Sequence, residues 1–106
     1  MIRSLSVEQW AIFKKKHPDF ILVDIRDQQT FNAGHSPEAL HLTEHKLADF
    51  IEKTSTKRTI VVMCYHGISS MRWVHYLSQA GFEDVLNLQG GYQAWQAANL
   101  PVVRTD

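Results

Sequence analysis

The chain has 106 residues, 44% of them hydrophobic, which is enough for one buried core but leaves little room for a second domain of ordinary size. Eleven Lys and Arg balance eleven Asp and Glu without forming a long basic face, which argues against nucleic acid as a partner. No apolar run approaches the roughly 20 residues that cross a bilayer, and the amino terminus lacks the apolar core of a signal peptide. We therefore expect a single domain over residues 1–106, soluble and cytoplasmic, with neither nucleic acid nor membrane as a partner.

Predicted strands and helices alternate along the whole chain. Apolar and β-branched runs predict strands over residues 2–5, 20–23, 39–42, 59–63 and 84–88. Helical spacing and end signals predict helices over residues 6–16, 27–34, 43–53, 70–81 and 92–98. Ser6 with Gln9, Asp27 and Thr43 have the residue types of helix caps, and Gly81 is suited to end a helix in left-handed conformation.

This alternation predicts an α/β fold in which βαβ units build a mostly parallel sheet covered by helices on both faces. In such sheets, ligands bind outside the carboxyl ends of the strands. Cys64 directly follows the strand over residues 59–63, which is the clearest strand in the sequence. Its position alone makes Cys64 a candidate functional residue.

The residues after Cys64 suit a cradle for an anion. The predicted helix that follows places its positive end near the sulfur, and Gly67 permits a close approach of the loop backbone. Ser69 and Ser70 add hydroxyls, of which one is suited to cap the helix, and His66 is a candidate second source of positive charge. Such a cradle lowers the pKa of a thiol and makes it a better nucleophile at neutral pH. We also expect the thiol to be exposed and hence open to oxidation.

Three segments resemble one protein family, in chain order. Residues 64–70 (Cys-Tyr-His-Gly-Ile-Ser-Ser) resemble the active-site loop of rhodanese-fold sulfurtransferases, most closely that of the bacterial single-domain GlpE type. Residues 23–35 carry Asp24-Ile25-Arg26, Phe31 and Gly34-His35, which resemble the first signature of the family. Residues 88–95 resemble its closing signature. Three such segments around one cysteine are a specific signal.

The resemblance implies a three-layer α/β/α fold with a five-stranded sheet. It also implies a thiosulfate sulfurtransferase in which the Cys64 thiolate takes the outer sulfur of thiosulfate and passes it, as a persulfide, to cyanide or a thiol. Thioredoxin is one candidate acceptor. No cofactor and no metal are implied. The substrate-binding residues carried over from the loop, with Arg72 added as a cation, are Tyr65, His66, Gly67, Ile68, Ser69, Ser70 and Arg72.

Two departures bear on substrate preference. Ile68 stands where GlpE-type loops commonly have a polar residue, often Asn, and Met71 stands where they often have Lys. Ile68 still offers its backbone N–H to a bound anion, but a side-chain contact to thiosulfate is lost. Arg72, one residue later on the helix, is the candidate replacement for the missing cation.

Two other functions compete with this interpretation. Cysteine-dependent phosphatases and arsenate reductases also place a Cys loop before a helix, but their loop ends in Arg at the sixth position after Cys, where this chain has Ser70. A sulfur carrier that another enzyme loads would need only the loop. Because Ile68 and Met71 remove polar side chains that would bind an anionic donor, the sequence leaves the carrier function open.

The remaining polar and aromatic candidates have structural interpretations. Asp24 and Arg26 are expected to fix a turn through hydrogen bonds and an ion pair, and His35 is expected to act through a structural hydrogen bond. Trp73 is more simply a core residue than a wall of the active site. His41 and His45 straddle a predicted break between strand and helix, so we do not expect a metal site.

Overall fold

Five strands form one sheet in the computed structural model, which describes residues 2–106. They are β1 (Ser4–Leu5), β2 (Ile21–Asp24), β3 (Ala39–His41), β4 (Thr59–Met63) and β5 (Asp84–Leu88). Their order is β1-β5-β4-β2-β3, and each of these neighbours pairs in parallel. The predicted α/β class with a parallel five-stranded sheet is confirmed.

In the described part of the chain, four α-helices connect consecutive strands and a fifth follows β5. They are α1 (Trp10–Lys16), α2 (Gln28–Ala33), α3 (Glu44–Lys53), α4 (Ser70–Gln79) and α5 (Gly91–Ala97). The Asp27 carboxylate accepts a hydrogen bond from the Thr30 N–H at 2.8 Å and caps α2 as predicted. Gly81, with φ of 108°, follows α4 in the left-handed region as expected. Thr43 and Ser69 hold the N-cap positions of α3 and α4 without a side-chain bond to the helix, so their predicted capping bonds do not form.

The amino terminus differs in detail from the prediction. The strand predicted over residues 2–5 is limited to Ser4 and Leu5, which pair with Asn87 and Leu88 at the edge of the sheet. A 3₁₀ turn over Val7–Gln9 precedes α1, where one continuous helix was predicted. Short edge strands and 3₁₀ turns at helix ends are governed by a few local bonds, which periodicity does not resolve.

The sheet separates two hydrophobic clusters. One face is covered by α1 and α5, whose Trp10 and Trp95 lie against strand residues such as Val61. The other face is covered by α3 and α4, whose Phe50 and Leu77 pack on strand residues such as Val62. Every residue of β4 is buried, because this strand lies at the centre of the sheet with helices on both sides. The expected three-layer α/β/α arrangement is therefore present, and β4 delivers Cys64 to the carboxyl edge of the sheet.

The turn after β2 is held by a buried ion pair. The Arg26 guanidinium donates to both carboxylate oxygens of Asp24, with the Nη2–Oδ2 distance 2.7 Å, and to the Gly34 carbonyl at 2.8 Å. His35 is bonded through both ring nitrogens, to the Ser36 carbonyl and the Thr105 hydroxyl. These contacts confirm the structural roles predicted for Asp24, Arg26 and His35.

Within residues 2–106, no helix combines the length and the apolar character that a membrane span demands.

We expect Leu22→Ala to lower the free energy of unfolding by about 2–5 kcal/mol, because Leu22 on β2 is fully buried and truncation leaves a cavity. Leu40→Ala is the matched control, since Leu40 lies on the neighbouring strand β3 with 47% of its surface exposed. We expect this control to change stability by about 0.5 kcal/mol or less. Urea unfolding of both variants measures the difference, and equal losses would contradict the described core.

Candidate active site

The candidate site lies where the chain leaves β4. Cys64 follows the last residue of that strand, residues 65–69 form a loop, and α4 begins at Ser70. The first turn of α5 supports the loop: the Tyr92 N–H donates to the Cys64 carbonyl at 2.7 Å, and the Gln93 N–H donates to the Tyr65 carbonyl at 3.0 Å. The loop is therefore anchored to the start of α5 as well as to its own strand and helix.

Two glycines make this close packing possible. Gly67 (φ 83°) and Gly91 (φ 58°) both adopt left-handed backbone, which side chains disfavour. A Cβ on Gly67 would lie 2.7 Å from the Gly90 nitrogen, and a Cβ on Gly91 would collide with the Cys64 carbonyl oxygen. The loop and the glycine turn touch backbone to backbone, so glycine is required on both sides of the contact.

The sulfur of Cys64 is bonded by its own loop. The Gly67 N–H donates to Sγ at 3.0 Å, and the Ser70 hydroxyl oxygen lies 3.2 Å from Sγ and accepts from the thiol. When the thiol ionises, the sulfur becomes a pure acceptor, and the Ser70 hydroxyl is in position to donate to it. The predicted cradle of inward-facing groups around the sulfur is therefore present.

The environment favours the ionised sulfur. Burial raises the pKa of Cys64 and is the largest single influence on it. Hydrogen bonds from the Ser70 hydroxyl and from the backbone N–H groups of Ser70, Gly67 and His66 act in the opposite direction. Together they outweigh burial, so the pKa of the Cys64 thiol lies below its ordinary value. A lowered pKa increases the thiolate fraction at neutral pH.

The expectation of an exposed thiol is wrong. Cys64 is only 5% exposed and lies at the bottom of the loop. The rim above it is formed by accessible side chains, with Tyr65 44% and Ile68 67% exposed. The loop therefore keeps the sulfur buried while the side chains of its rim are open to solvent.

The side chains of the other predicted site residues make no hydrogen bond to the sulfur within residues 2–106. The His66 ring is exposed and its Nδ1 bonds to the Gln93 side chain at 2.8 Å, so His66 reaches the sulfur through its backbone N–H rather than its ring. Arg72 and Met71 line a groove of about 760 Å³ beside α4, and Ser69 of the loop lines one end of this groove. Trp73 is half-buried and packs against the core, which confirms the preferred core role, and it also lines this groove.

One polar residue of the site was not predicted. The Asn87 side chain on β5 is buried, accepts a hydrogen bond from the Ser70 hydroxyl and donates to the Gly67 carbonyl at 2.9 Å. It therefore bonds to both residues that bond to the sulfur, at the Gly67 carbonyl and at the Ser70 hydroxyl. A signal for it exists in the sequence, because a lone Asn in an otherwise apolar strand needs buried hydrogen-bond partners.

The buried ion pair supports the same site from the other side. The Arg26 guanidinium lies 3.9 Å above the centre of the Tyr92 ring, and the Tyr92 N–H holds the Cys64 carbonyl. Desolvation raises the pKa of Tyr92, which keeps its hydroxyl neutral. The His41 ring donates to the Arg26 carbonyl at 2.6 Å, which gives this ring a structural role.

We expect Ser70→Ala to raise the pKa of the Cys64 thiol, because it removes a hydroxyl that stabilises the thiolate. One lost hydrogen bond to a charged group corresponds to alkylation by iodoacetamide about tenfold slower at pH 7. Ser69→Ala is the matched control, since Ser69 is exposed and its hydroxyl is not one of the groups bonded to the sulfur. Alkylation rates against pH measure both variants, and an equal effect of the two substitutions would contradict this role of Ser70.

Solved structures with the same fold include the rhodanese-like domain of an Anabaena protein, with 28% identity and a TM-score of 0.85 over 98% of this chain and 80% of that one. A polysulfide-sulfur transferase homodimer from Wolinella succinogenes matches with a TM-score of 0.80 over 99% of this chain and 80% of that one. At 24% identity, that likeness concerns the fold alone.

Sequence relatives are closer. A protein of Vibrio cholerae named thiosulfate sulfurtransferase GlpE is 47% identical over 81 residues, 76% of each chain. A protein of the same name from Pseudomonas savastanoi pv. phaseolicola is 47% identical over 77 residues, 73% of each chain. The family described as the rhodanese-like domain matches residues 7–98, which include the sheet residues from β2 to β5 and the whole Cys64 loop. The chain therefore belongs to the rhodanese-like domain family.

Proposed function

We infer that the chain is a thiosulfate sulfurtransferase in which Cys64 is the catalytic nucleophile. The observation that carries this proposal is the sulfur held by the Gly67 N–H and the Ser70 hydroxyl, in a loop whose hydrogen bonds lower the pKa of the thiol. The name shared by the Vibrio and Pseudomonas relatives supports thiosulfate as the sulfur donor. Together, the site chemistry and the relatives favour transfer of sulfane sulfur over other reactions of a cysteine loop.

The first half-reaction loads the enzyme. The Cys64 thiolate attacks the outer sulfur of thiosulfate, a new S–S bond forms, and the S–S bond of thiosulfate breaks with its electron pair leaving on sulfite. Charge is conserved, since a thiolate and a dianion become a persulfide anion and a dianion. The negative charge moves from Sγ to the outer sulfur of the persulfide, one S–S bond away, and the inward-facing N–H groups of the loop are proposed to stabilise it in both places.

The second half-reaction removes the outer sulfur from the enzyme. A thiol or cyanide attacks the outer sulfur of the persulfide, and the electron pair of the broken S–S bond returns to Sγ of Cys64 as thiolate. An S–S bond is about 2 Å long, so the transferable sulfur lies nearer the rim than the buried Sγ does. This geometry suits cyanide, small thiols or the cysteine of a protein such as thioredoxin. Because a free thiol must persist between turnovers, we propose a reducing compartment, the cytoplasm.

The rim residues are proposed to meet the substrate. Tyr65, His66, Ile68 and Ser69 are exposed around the loop, and Arg72 on α4 is an exposed cation of the adjoining groove. Backbone N–H groups, not side chains, provide the main recognition of the anion. Apolar Ile68 therefore keeps the loop functional and weakens only the initial binding of a dianionic donor.

The phosphatase alternative is disfavoured by the residue at position 70. A phosphoryl group needs a bidentate guanidinium at that place. Here the position holds a buried serine whose hydroxyl bonds to Sγ and to Asn87. The site therefore offers hydrogen bonds sized for a sulfur atom and no cation at the loop end.

The carrier alternative rests on the apolar rim, where Ile68 is 67% and Met71 37% exposed. A carrier would hold a persulfide delivered by another enzyme but would not use thiosulfate. Steady-state formation of thiocyanate from thiosulfate and cyanide by the purified protein distinguishes the two functions. Sustained turnover identifies the enzyme, and loading without turnover identifies the carrier.

We expect Cys64→Ser to abolish sulfur transfer, because a serine hydroxyl is neither ionised at neutral pH nor able to form a persulfide. Incubation of the wild-type protein with thiosulfate should add the mass of one sulfur atom, and cyanide should remove it. Intact-protein mass spectrometry measures both steps. Turnover retained in the serine variant, or a wild-type mass unaltered by thiosulfate, would overturn the proposed mechanism.

We expect Ile68→Asn to lower the KM for thiosulfate about two- to tenfold with little change in kcat, since the added amide contributes one hydrogen bond to the bound donor. Ile12→Asn is a matched control, because Ile12 on α1 is similarly exposed, at 61%. Steady-state kinetics of both variants measure the effect. A KM that stays the same in the Ile68 variant would show that the rim side chain does not contact the donor.

A further inference from the structure

The buried amide of Asn87 contacts both halves of the Cys64 loop. Asn87 lies on β5, paired in register with Val62 of β4, and is 4% exposed. Its Nδ2 donates to the Gly67 carbonyl at 2.9 Å, and its Oδ1 accepts from the Ser70 hydroxyl. Gly67 and Ser70 are in turn the residues that bond to Sγ. One side chain thus joins the two partners of the sulfur without touching the sulfur itself.

The orientation of this amide follows from its partners. A carbonyl oxygen can only accept a hydrogen bond, so the NH₂ group of Asn87 must face Gly67. The amide oxygen then faces Ser70 and determines where the hydroxyl hydrogen points. In the thiol state the hydrogens run in one direction, from Sγ to Ser70 and from Ser70 to Asn87. These hydrogen bonds fix the amide and the loop relative to each other.

The contact with Gly67 fixes a whole peptide unit. In a trans peptide the C=O and the following N–H point in opposite directions, so anchoring the Gly67 carbonyl on Asn87 directs the Ile68 N–H away from β5. Glycine allows its peptide to rotate more freely than other residues do, and Gly67 already has a φ of 83°. Without an anchor, the Gly67–Ile68 peptide would sample other orientations, and the Gly67 N–H would be held less firmly on Sγ.

We propose that Asn87 is a positioning residue for sulfur transfer, whose amide anchors the Gly67 carbonyl and so holds Gly67 in the conformation that directs its N–H at an anionic sulfur. This role deepens the proposed function and rests on it, since the anion held is the thiolate or persulfide of Cys64. A buried amide is costly in an apolar strand unless it is fully bonded. Both polar atoms of the Asn87 amide are hydrogen-bonded to the Cys64 loop, so the amide acts on the conformation of that loop.

Asn87→Leu is the direct test, because leucine has nearly the same size but makes neither bond. Loss of the amide also frees the Ser70 hydrogen, which could then donate to the sulfur and mask the effect. The substitution is therefore made both in the wild type and in Ser70→Ala, where the hydroxyl is absent. The readout is the pH dependence of iodoacetamide alkylation of Cys64, which needs no thiosulfate.

In the Ser70→Ala background, we expect Asn87→Leu to shift the alkylation profile further to high pH and to slow alkylation at pH 7 about fivefold. Thr59→Val is the matched control: Thr59 is also buried on the sheet and donates to the Asp84 carboxylate at 2.9 Å, but it lies at the amino end of β4. This control should lower the melting temperature and leave the alkylation profile unchanged.

An alkylation profile in the double variant equal to that of Ser70→Ala alone would overturn the proposal, because Asn87 would then act on stability only. If Asn87→Leu does not fold, Asn87→Ala replaces it in the same Ser70→Ala background. Alanine makes neither bond and adds no charge or bulk, so slower alkylation is expected and a rate equal to that of Ser70→Ala alone contradicts the proposal. Thiosulfate loading of the wild-type protein is scored separately, so a failure of sulfur transfer and a failure of the positioning role give different results.

Discussion

The hydrogen bonds that surround the Cys64 sulfur are the interaction on which the rest of the site depends. A buried charge is unfavourable by several kcal/mol unless it is bonded, and the sulfur lies almost out of reach of water. The Gly67 N–H at 3.0 Å and the Ser70 hydroxyl at 3.2 Å replace that water. Together with the backbone N–H groups of His66 and Ser70, they outweigh the opposing effect of burial, so the pKa of the buried thiol stays below its ordinary value.

The fold supplies this cradle through its central strand. β4 is buried along its whole length and ends directly before Cys64, so the packed centre of the sheet fixes the position of this residue. The loop that follows is held on two sides, by the glycine turn before α5 and by Asn87 on β5. Such support matters because a cradle built from backbone N–H groups has no side chains of its own to hold its shape.

Much of this organisation could be predicted from the sequence. The β-branched run over residues 59–63 and the glycine and serines after Cys64 are strong local signals, and they located both the strand and the loop correctly. The start of α2 at Asp27 and the end of α4 before Gly81 were predicted correctly, because Asp favours N-cap positions and Gly favours the left-handed backbone that ends helices. These features depend on neighbours in the chain, which periodicity and residue type describe well.

Contacts between distant segments could not be predicted in the same way. The depth of Cys64 depends on the turn at Gly90 and Gly91, and the bonds of Asn87 depend on the register of β5 against β4. Arg72 was identified by its charge, but its direction into a groove beside α4 depends on the rotation of the helix. Residue type indicated which groups had a role, whereas the tertiary structure decided which of them meet at the sulfur.

The central claim is that the folded loop stabilises negative charge on a buried sulfur. The most direct measurement is a pH titration of the ultraviolet thiolate absorbance of Cys64, the only cysteine of the chain, in the folded protein and in denaturant. The structure predicts that the folded protein reaches half-ionisation at a lower pH than the unfolded chain does. Half-ionisation at the same or a higher pH in the folded protein would contradict the claim.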